Sequence, residues 1–194
     1  MPMVEDALRH GNCDIGQVDV FGCVVGPGSF TGVRIGVATV MGLAGDKPCA
    51  PINGLEALAR QAAGFHGLVC PILDARAQQV YGAAFENGAR VLPDEPIKLE
   101  LFLDKLRAMG KQCLFVGDGV KAYAQRLREI EFAVLGDAPQ CGLHASYAAL
   151  LANEHPETWV PAKDLRPYYL RAPQAERERA QRLSKEDAAC PTAP

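Results

Sequence analysis

A glycine-rich loop, set between an apolar run and a helical pattern, holds the residues of this chain best suited to chemistry. The apolar run is Val20–Val25 and the helical pattern covers residues 30–44. The loop consists of Gly26, Pro27, Gly28, Ser29, Phe30, Thr31 and Gly32. Such a loop could hold a phosphate, carry a nucleophile or let a second backbone come close, and we weigh these three hypotheses in turn.

The phosphate hypothesis rests on the strand–loop–helix arrangement, which presents backbone N–H groups and a helix dipole to an anion. The Walker pattern requires a lysine before its Ser or Thr, and this loop has none. The dinucleotide pattern G-x-G-x-x-G fails as well, because Thr31 stands at the third glycine position and Gly32 comes one residue late. An ATP-binding transferase or hydrolase that acts through this loop is therefore kept as the alternative function.

The nucleophile hypothesis would use the hydroxyl of Ser29 or Thr31. The G-x-S-x-G elbow needs glycines two residues before and after its serine, where this chain has Pro27 and Thr31. The four histidines lie in unrelated contexts and nominate no general base. We expect instead that Ser29 or Thr31 caps the following helix, which would stabilise that helix by about 1 kcal/mol.

The close-approach hypothesis comes from glycines inside the predicted helix, where each costs about 1 kcal/mol relative to alanine. Gly32, Gly36 and Val40 follow at i, i+4 and i+8 and share one face. A second backbone could approach this face, either from the protein's own sheet or from another chain. Arg34, in the first turn, opposes the helix dipole, so we expect an acidic group to compensate it within the protein or across an interface.

Predicted strands and helices alternate along the chain, which indicates an α/β fold with mixed sheets. The apolar patterns predict helices at 2–10, 30–44, 55–63, 99–109, 122–130 and 145–153. They predict strands at 20–25, 49–52, 68–73, 79–85, 113–116 and 132–135. Pro71 predicts that its strand is irregular or near a sheet edge. Asn87-Gly88 predicts a hairpin turn.

Composition excludes several classes of protein. The formal net charge is -3 without a basic stripe, which disfavours a stand-alone nucleic-acid binder. No apolar run is long enough for a membrane span, and the first ten residues lack a signal-peptide pattern. The seven cysteines form no C-x-x-C pair and are expected to be buried thiols in a reducing cytoplasm. No two histidines have H-x-x-x-H spacing, so neither a metal site nor a cofactor is predicted.

The stretch GPGSFTGVRIGVATVMGLA resembles the signature of the TsaB family, also called YeaZ. Leu73-Asp74-Ala75-Arg76 followed by Val80-Tyr81 resembles the family's I-D-A-R…V-Y element. Val116-Gly117-Asp118-Gly119 and, more weakly, Tyr169-Leu170-Arg171 continue the resemblance, which spans residues 1–171.

The resemblance implies an actin/Hsp70-like (ASKHA) fold of two α/β lobes. Residues 1–66 would form a truncated N-terminal lobe with dimerisation helices, residues 67–172 a C-terminal lobe, and residues 173–194 a polar tail, helical or disordered in solvent. Family members begin with a β-hairpin that this chain lacks, which argues against nucleotide binding by the first lobe. About 35 to 40 residues of the family pattern are absent, through either a misplaced start site or a real truncation, and the run Val20–Val25 would form an exposed apolar sheet edge.

The resemblance also implies a function without catalysis. Family members dock on the TsaD transferase, work together with the TsaE ATPase, and help place threonylcarbamoyl on N6 of the tRNA adenosine 3′ of the anticodon. A homodimer is also implied, and tRNA would be contacted only through the complex, in the cytoplasm. The implied interface lies on the first helix and the glycine helix, with Val4, Leu8, Gly32, Arg34, Gly36 and Val40 as its candidate residues.

Asp74 and Arg76 follow an apolar strand, where functional carboxylates of α/β folds are usually found. The pair could hydrogen-bond to backbone at the junction of the lobes or to each other. A structural turn is the expected role, and a ligand-binding role is the alternative.

Overall fold

The computed structural model describes residues 1–171. Its helices are α1 (Pro2–His10), α2 (Phe30–Ala44), α3 (Gly54–Arg60), α4 (Leu99–Ala108), α5 (Gly119–Ala122), α6 (Ala124–Arg128) and α7 (Ala145–Glu154). Its strands are β1 (Phe21–Gly26), β2 (Pro48–Asn53), β3 (Leu68–Asp74), β4 (Gln79–Glu86), β5 (Ala89–Lys98), β6 (Cys113–Val116), β7 (Ala133–Leu135) and β8 (Val160–Pro161). Within this range no helix has the length and apolarity to cross a bilayer. The predicted tail, residues 173–194, lies outside the described residues.

The first sheet has the strand order β1-β2-β8, with β1 and β2 parallel and β8 antiparallel to β2. Successive residues of a strand face opposite sides, so Cys49 packs on the side of α2 and Ala50 on the side of α3 and α7. In the described chain β1 has β2 as its one neighbour, which confirms that this apolar strand forms a sheet edge.

The second sheet has the order β5-β4-β3-β6-β7, antiparallel from β5 to β3 and parallel from β3 to β7. Cys70 packs on the face that α4 covers, with Phe102 and Leu103 beside it. Val69 packs on the opposite face against Leu55 and Leu58 of α3. Because α3 also contributes Ala57 to the core of the first sheet, this helix joins the two sheets.

The segment after residue 144 returns to the first sheet. Helix α7 covers one face of that sheet, with Leu151 and Ala152 buried against Ala50 and Ile52. On the other face, Leu165 is buried beside Cys23 and Val25. The predicted lobe boundaries at residues 66 and 172 stay predictions, but the last described residues pack on the sheet that the first part of the chain forms.

Two sequence-based expectations need correction. The strand that contains Pro71 is central rather than at an edge, because β3 lies between β4 and β6. It tolerates the proline because its register to β4 passes from Val69 to Ile72, so no residue of β4 pairs with Pro71. The helix predicted over 122–130 is divided into α5 and α6, since Tyr123 between them leaves helical geometry at φ -115° and ψ 18°.

Four cysteines confirm the expectation of buried thiols. Cys23, Cys49, Cys70 and Cys113 are buried as free cysteines, while Cys13 and Cys141 are partly exposed. Burial, with a smaller contribution from Cys49, raises the pKa of the Cys23 thiol to about 11. At neutral pH this thiol is therefore protonated and packs as an apolar side chain.

Candidate functional site

The glycine-rich loop begins at a backbone position that excludes side chains. Gly26 has a φ of 134°, and a Cβ built on it would lie 2.3 Å from the carbonyl oxygen of Tyr168. Tyr168 is also hydrogen-bonded to the residue before Gly26, because its N–H donates to the Val25 carbonyl at 2.7 Å. Gly26 thus allows residues 168–171, which we call the C-terminal strap, to cross the end of β1.

Ser29 is the N-cap of α2, which settles the choice between the two hydroxyls. Its Oγ accepts a hydrogen bond from the Gly32 N–H at 3.3 Å, whereas Thr31 is exposed within the first turn. The helix spans Phe30–Ala44, as predicted. A capping role accounts for a serine at this position without any chemistry.

A cleft of about 540 Å³ lies beside the loop. Its walls come from the loop, the end of β3 and the C-terminal strap. The lining residues are Pro27, Gly28, Ser29, Phe30, Thr31, Val33, Leu73, Asp74, Ala75, Arg76, Tyr81, Asp118, Tyr168, Tyr169, Leu170 and Arg171. This set contains no histidine and no lysine, so the described cleft gives Ser29 neither a histidine base nor a phosphate-binding lysine.

Asp74 organises the turn at the end of β3. Its Oδ1 accepts from the Arg76 N–H at 2.9 Å and from the Tyr123 hydroxyl at 3.1 Å, and its own N–H donates to Asp118 Oδ1 at 3.0 Å. Of the two bonding patterns predicted for Asp74 and Arg76, the structure has the one to backbone. Burial first, and then the hydrogen bond and the charge of Asp74, raise the pKa of Tyr123 to about 12. Tyr123 therefore remains a hydrogen-bond donor to Asp74 at neutral pH.

The turn after Asp74 has an unusual backbone. Arg76, Ala77 and Gln78 have φ values of 61°, 50° and 59°, which places three consecutive non-glycine residues in the left-handed region. Each such residue costs about 1 to 2 kcal/mol. The bonds that Asp74 makes to Arg76 and Tyr123 hold this turn in place.

The outer face of α2 is small, apolar and exposed. Ile35 at its centre is 62 % exposed, and its exposed neighbours on this face are Thr31, Ala38, Thr39 and Gly42. A Cβ added to Gly36 or Gly42 would meet no atom within 4 Å. Sequence reasoning missed Ile35 because it followed the small residues of the helix.

The predicted stripe lies on one flank of this outer face. Gly32 is exposed, Gly36 is half-buried, and Val40 is half-buried against the core of the first sheet. No atom of the described residues outside the neighbouring helix backbone lies within 4 Å of a Cβ added to Gly36, so the protein's own sheet does not fill that space. The hypothesis of approach by another chain stays open.

Helix α1 has an apolar face that the described residues leave exposed. None of its residues is buried: Met3 is 86 % exposed, Val4 is 38 % exposed and Leu8 is half-buried. Its ends are well formed, with Pro2 at the start and Arg9 and His10 in the last turn, where cations favour a helix. Helices α1 and α2 thus each present apolar groups to the surroundings.

The positive charge of Arg34 is met by two aromatic side chains rather than by an acidic group. Its Nε donates to the hydroxyl of Tyr169 at 2.9 Å, and its guanidinium carbon lies 4.4 Å from the centre of the Phe30 ring. Among the ion pairs of residues 1–171 none includes Arg34. Sequence reasoning missed Tyr169 as a partner, although the Tyr169-Leu170-Arg171 motif had marked the segment.

Comparison with known proteins places these features in a family. The family model described as TsaD, tRNA N6-adenosine threonylcarbamoyltransferase, matches residues 1–138. The tRNA threonylcarbamoyladenosine biosynthesis protein TsaB of Bacillus subtilis is 36 % identical over 186 residues, covering 91 % of this chain and 80 % of that protein. The chain belongs to the TsaB/YeaZ family. The TsaB protein of Haemophilus influenzae is 40 % identical over 85 residues, which is 42 % of this chain and 36 % of that protein.

Solved structures of the family share the fold. A Pseudomonas aeruginosa protein described as similar to peptidase YeaZ superposes with a TM-score of 0.72 at 29 % identity, covering 88 % of this chain and 82 % of that one. A second structure, YeaZ from the same organism, superposes with a TM-score of 0.67 at 26 % identity. The match covers 87 % of this chain and 81 % of that one. The α/β fold with mixed sheets is thus the actin-like (ASKHA) fold of this family.

Proposed function

We propose that this chain acts in tRNA threonylcarbamoyladenosine biosynthesis as a non-catalytic subunit that docks on a TsaD-type transferase. Membership of the TsaB/YeaZ family supports the pathway, because the named relatives are biosynthesis proteins of this modification. A TsaE-type ATPase would join the same complex, and tRNA would be contacted through the transferase. The chain would contribute a surface rather than a reacting group.

The observation that carries the proposal is the free space beside the glycines of α2. Glycine inside a helix costs about 1 kcal/mol relative to alanine, and the described chain places nothing within 4 Å of a Cβ at Gly36 or Gly42. A partner helix that packs closely against α2 would use this space, since small residues let two backbones approach.

Helix α1 offers a second apolar surface for a partner. Nine residues are too few for a helix that is stable by itself, so α1 requires packing against another surface. Its free apolar face carries Met3, Val4 and Leu8. We infer that α1 and α2 together join a corresponding helix pair of the partner in a four-helix arrangement. A second copy of this chain could occupy the same surface as a homodimer, in competition with the transferase.

The proposal is tested by substituting Gly36 with leucine and measuring binding of the full chain to the transferase subunit of the same organism. A Cβ at this position meets no described atom within 4 Å in the free protein, and leucine favours a helix more than glycine does. We therefore expect an unchanged or higher melting temperature. Binding should weaken at least about tenfold, which corresponds to about 1.4 kcal/mol, because the partner backbone would clash with the leucine.

The matched control is Gly64→Leu, since Gly64 likewise has nothing within 4 Å of an added Cβ but lies beyond α3. This variant should bind like the wild type. Normal binding by Gly36→Leu would show that α2 is not the docking surface. Absence of binding by the wild-type chain would refute the scaffold function itself.

A second candidate function is supported by the cleft of about 540 Å³ beside the glycine-rich loop. An ATP-binding transferase or hydrolase would use this cleft, and magnesium-ATP would then raise the melting temperature of the chain. Ser29→Ala would abolish turnover in that case. We favour the scaffold because Ser29 is engaged as a helix cap and no histidine or lysine lines the described cleft.

A further inference from the structure

The C-terminal strap carries a side chain to the beginning of α2. The ring of Tyr169 stacks on Phe30 with 5.0 Å between the ring centres and 29° between their planes. The strap is fixed one residue earlier, where the Tyr168 N–H donates to the Val25 carbonyl. Tyr169 therefore sits on a rigid backbone beside the first turn of the helix.

Tyr169 and Phe30 together determine where the guanidinium of Arg34 points. The hydroxyl of Tyr169 accepts from Nε, and the guanidinium carbon lies over the Phe30 ring at 4.4 Å from its centre. Arg34 is nevertheless exposed, and its two terminal nitrogens make no hydrogen bond to the described part of the chain. The guanidinium is thus held at Nε, while its two terminal nitrogens stay free to bind both oxygens of a carboxylate.

A cation in the first turn of a helix is unfavourable by itself because it opposes the dipole. A held guanidinium with a free edge is, however, a preformed receptor for a carboxylate, which it binds through two parallel hydrogen bonds. Holding the side chain in advance reduces the conformational entropy lost on association. Both considerations favour an acidic group on the surface that meets α2.

We propose that Tyr169 is a positioning residue of the docking surface, which orients Arg34 toward a carboxylate of the transferase partner. This inference rests on the proposed function, because it names the chemistry of the partner at that same surface. The docking surface accordingly includes a residue of the strap, 135 positions away from Arg34 along the chain.

The test is a double-mutant cycle on binding of the full chain to the transferase. Tyr169→Phe keeps the ring on Phe30 and removes the acceptor, and we expect a three- to tenfold weaker Kd at an unchanged melting temperature. Arg34→Gln should weaken Kd by at least tenfold. Adding Tyr169→Phe to Arg34→Gln should cause no further loss, because the tyrosine acts through the arginine. Tyr147→Phe, on α7, is the matched control and should bind normally.

A second measurement reports on the free protein. The Nε–H proton of Arg34 should exchange slowly with solvent in the wild type and quickly in Tyr169→Phe. Normal binding by Tyr169→Phe, or additive losses in the double variant, would overturn this inference while leaving the scaffold function in place. Absence of any wild-type binding would overturn both.

Discussion

Gly26 stands where β1 ends and the C-terminal strap crosses it. Its φ of 134° and the 2.3 Å between an added Cβ and the Tyr168 oxygen leave no room for a side chain. Gly28, two residues later, has no positive φ, and its added Cβ would be at an ordinary 3.6 Å from Val33. The two glycines of one motif therefore differ in what they tolerate.

We expect Gly26→Ala to lower the free energy of unfolding by at least about 2 kcal/mol, because the backbone must adopt a strained conformation and the strap must move. Gly28→Ala should change it by less than about 0.5 kcal/mol. Urea denaturation of the two variants beside the wild type measures the difference. Equal stability of the two variants would contradict the contact between Gly26 and the strap.

Helices α1 and α4 are of similar length but differ in what they bury. Helix α1 buries no residue, whereas α4 buries Leu103 and Leu106 among other residues. Helices this short depend on packing for their stability. In the free protein α1 should thus open far more readily than α4.

This difference predicts the outcome of amide hydrogen exchange on the full chain. The amides of α1 should exchange with little protection in the free chain and slow at least about tenfold when the transferase is added. The amides of α4 should be protected in both conditions and serve as the internal control. Unchanged exchange of α1 in the presence of bound transferase would exclude this helix from the interface.

The sequence predicts some elements better than others. The difference depends on how far apart in the chain the residues that determine each element lie. The bounds of α2 follow from a serine cap and an apolar period, which are local signals, and they agree with the structure. The hydrogen bonds of Tyr123 and Arg34, by contrast, go to Asp74 and Tyr169, which are 49 and 135 residues away in the chain. The central place of the Pro71 strand likewise depends on its pairing with β6, which no local pattern contains.

The whole molecule is divided between two sheets that share α3. Leu165 belongs to the core of the first sheet although it lies near the end of the described chain, and it is 1 % exposed. If residues of the first and last segments form one unfolding unit, removing the Leu165 side chain should destabilise β1 and β2. The second sheet has its own core around Phe102 and Phe115 and should be affected less.

Leu165→Ala should therefore lower the free energy of unfolding of the first sheet by about 3 kcal/mol. Hydrogen exchange should show faster opening of β1 and β2, while β3 and β6 keep their protection. Leu143→Ala, at a leucine that is 42 % exposed, is the control and should have little effect. Equal loss of protection in both sheets would mean that the two sheets unfold as one unit.

The contact between Tyr169 and Arg34 has a consequence for the order of events during synthesis. A ribosome releases α1 and α2 early, whereas the strap follows 135 residues behind Arg34. A transferase that met the growing chain would find the helices present but the guanidinium unsupported. On the proposed role of Tyr169, the complete docking surface forms only after the strap has left the ribosome, and a shorter nascent chain would dock more weakly.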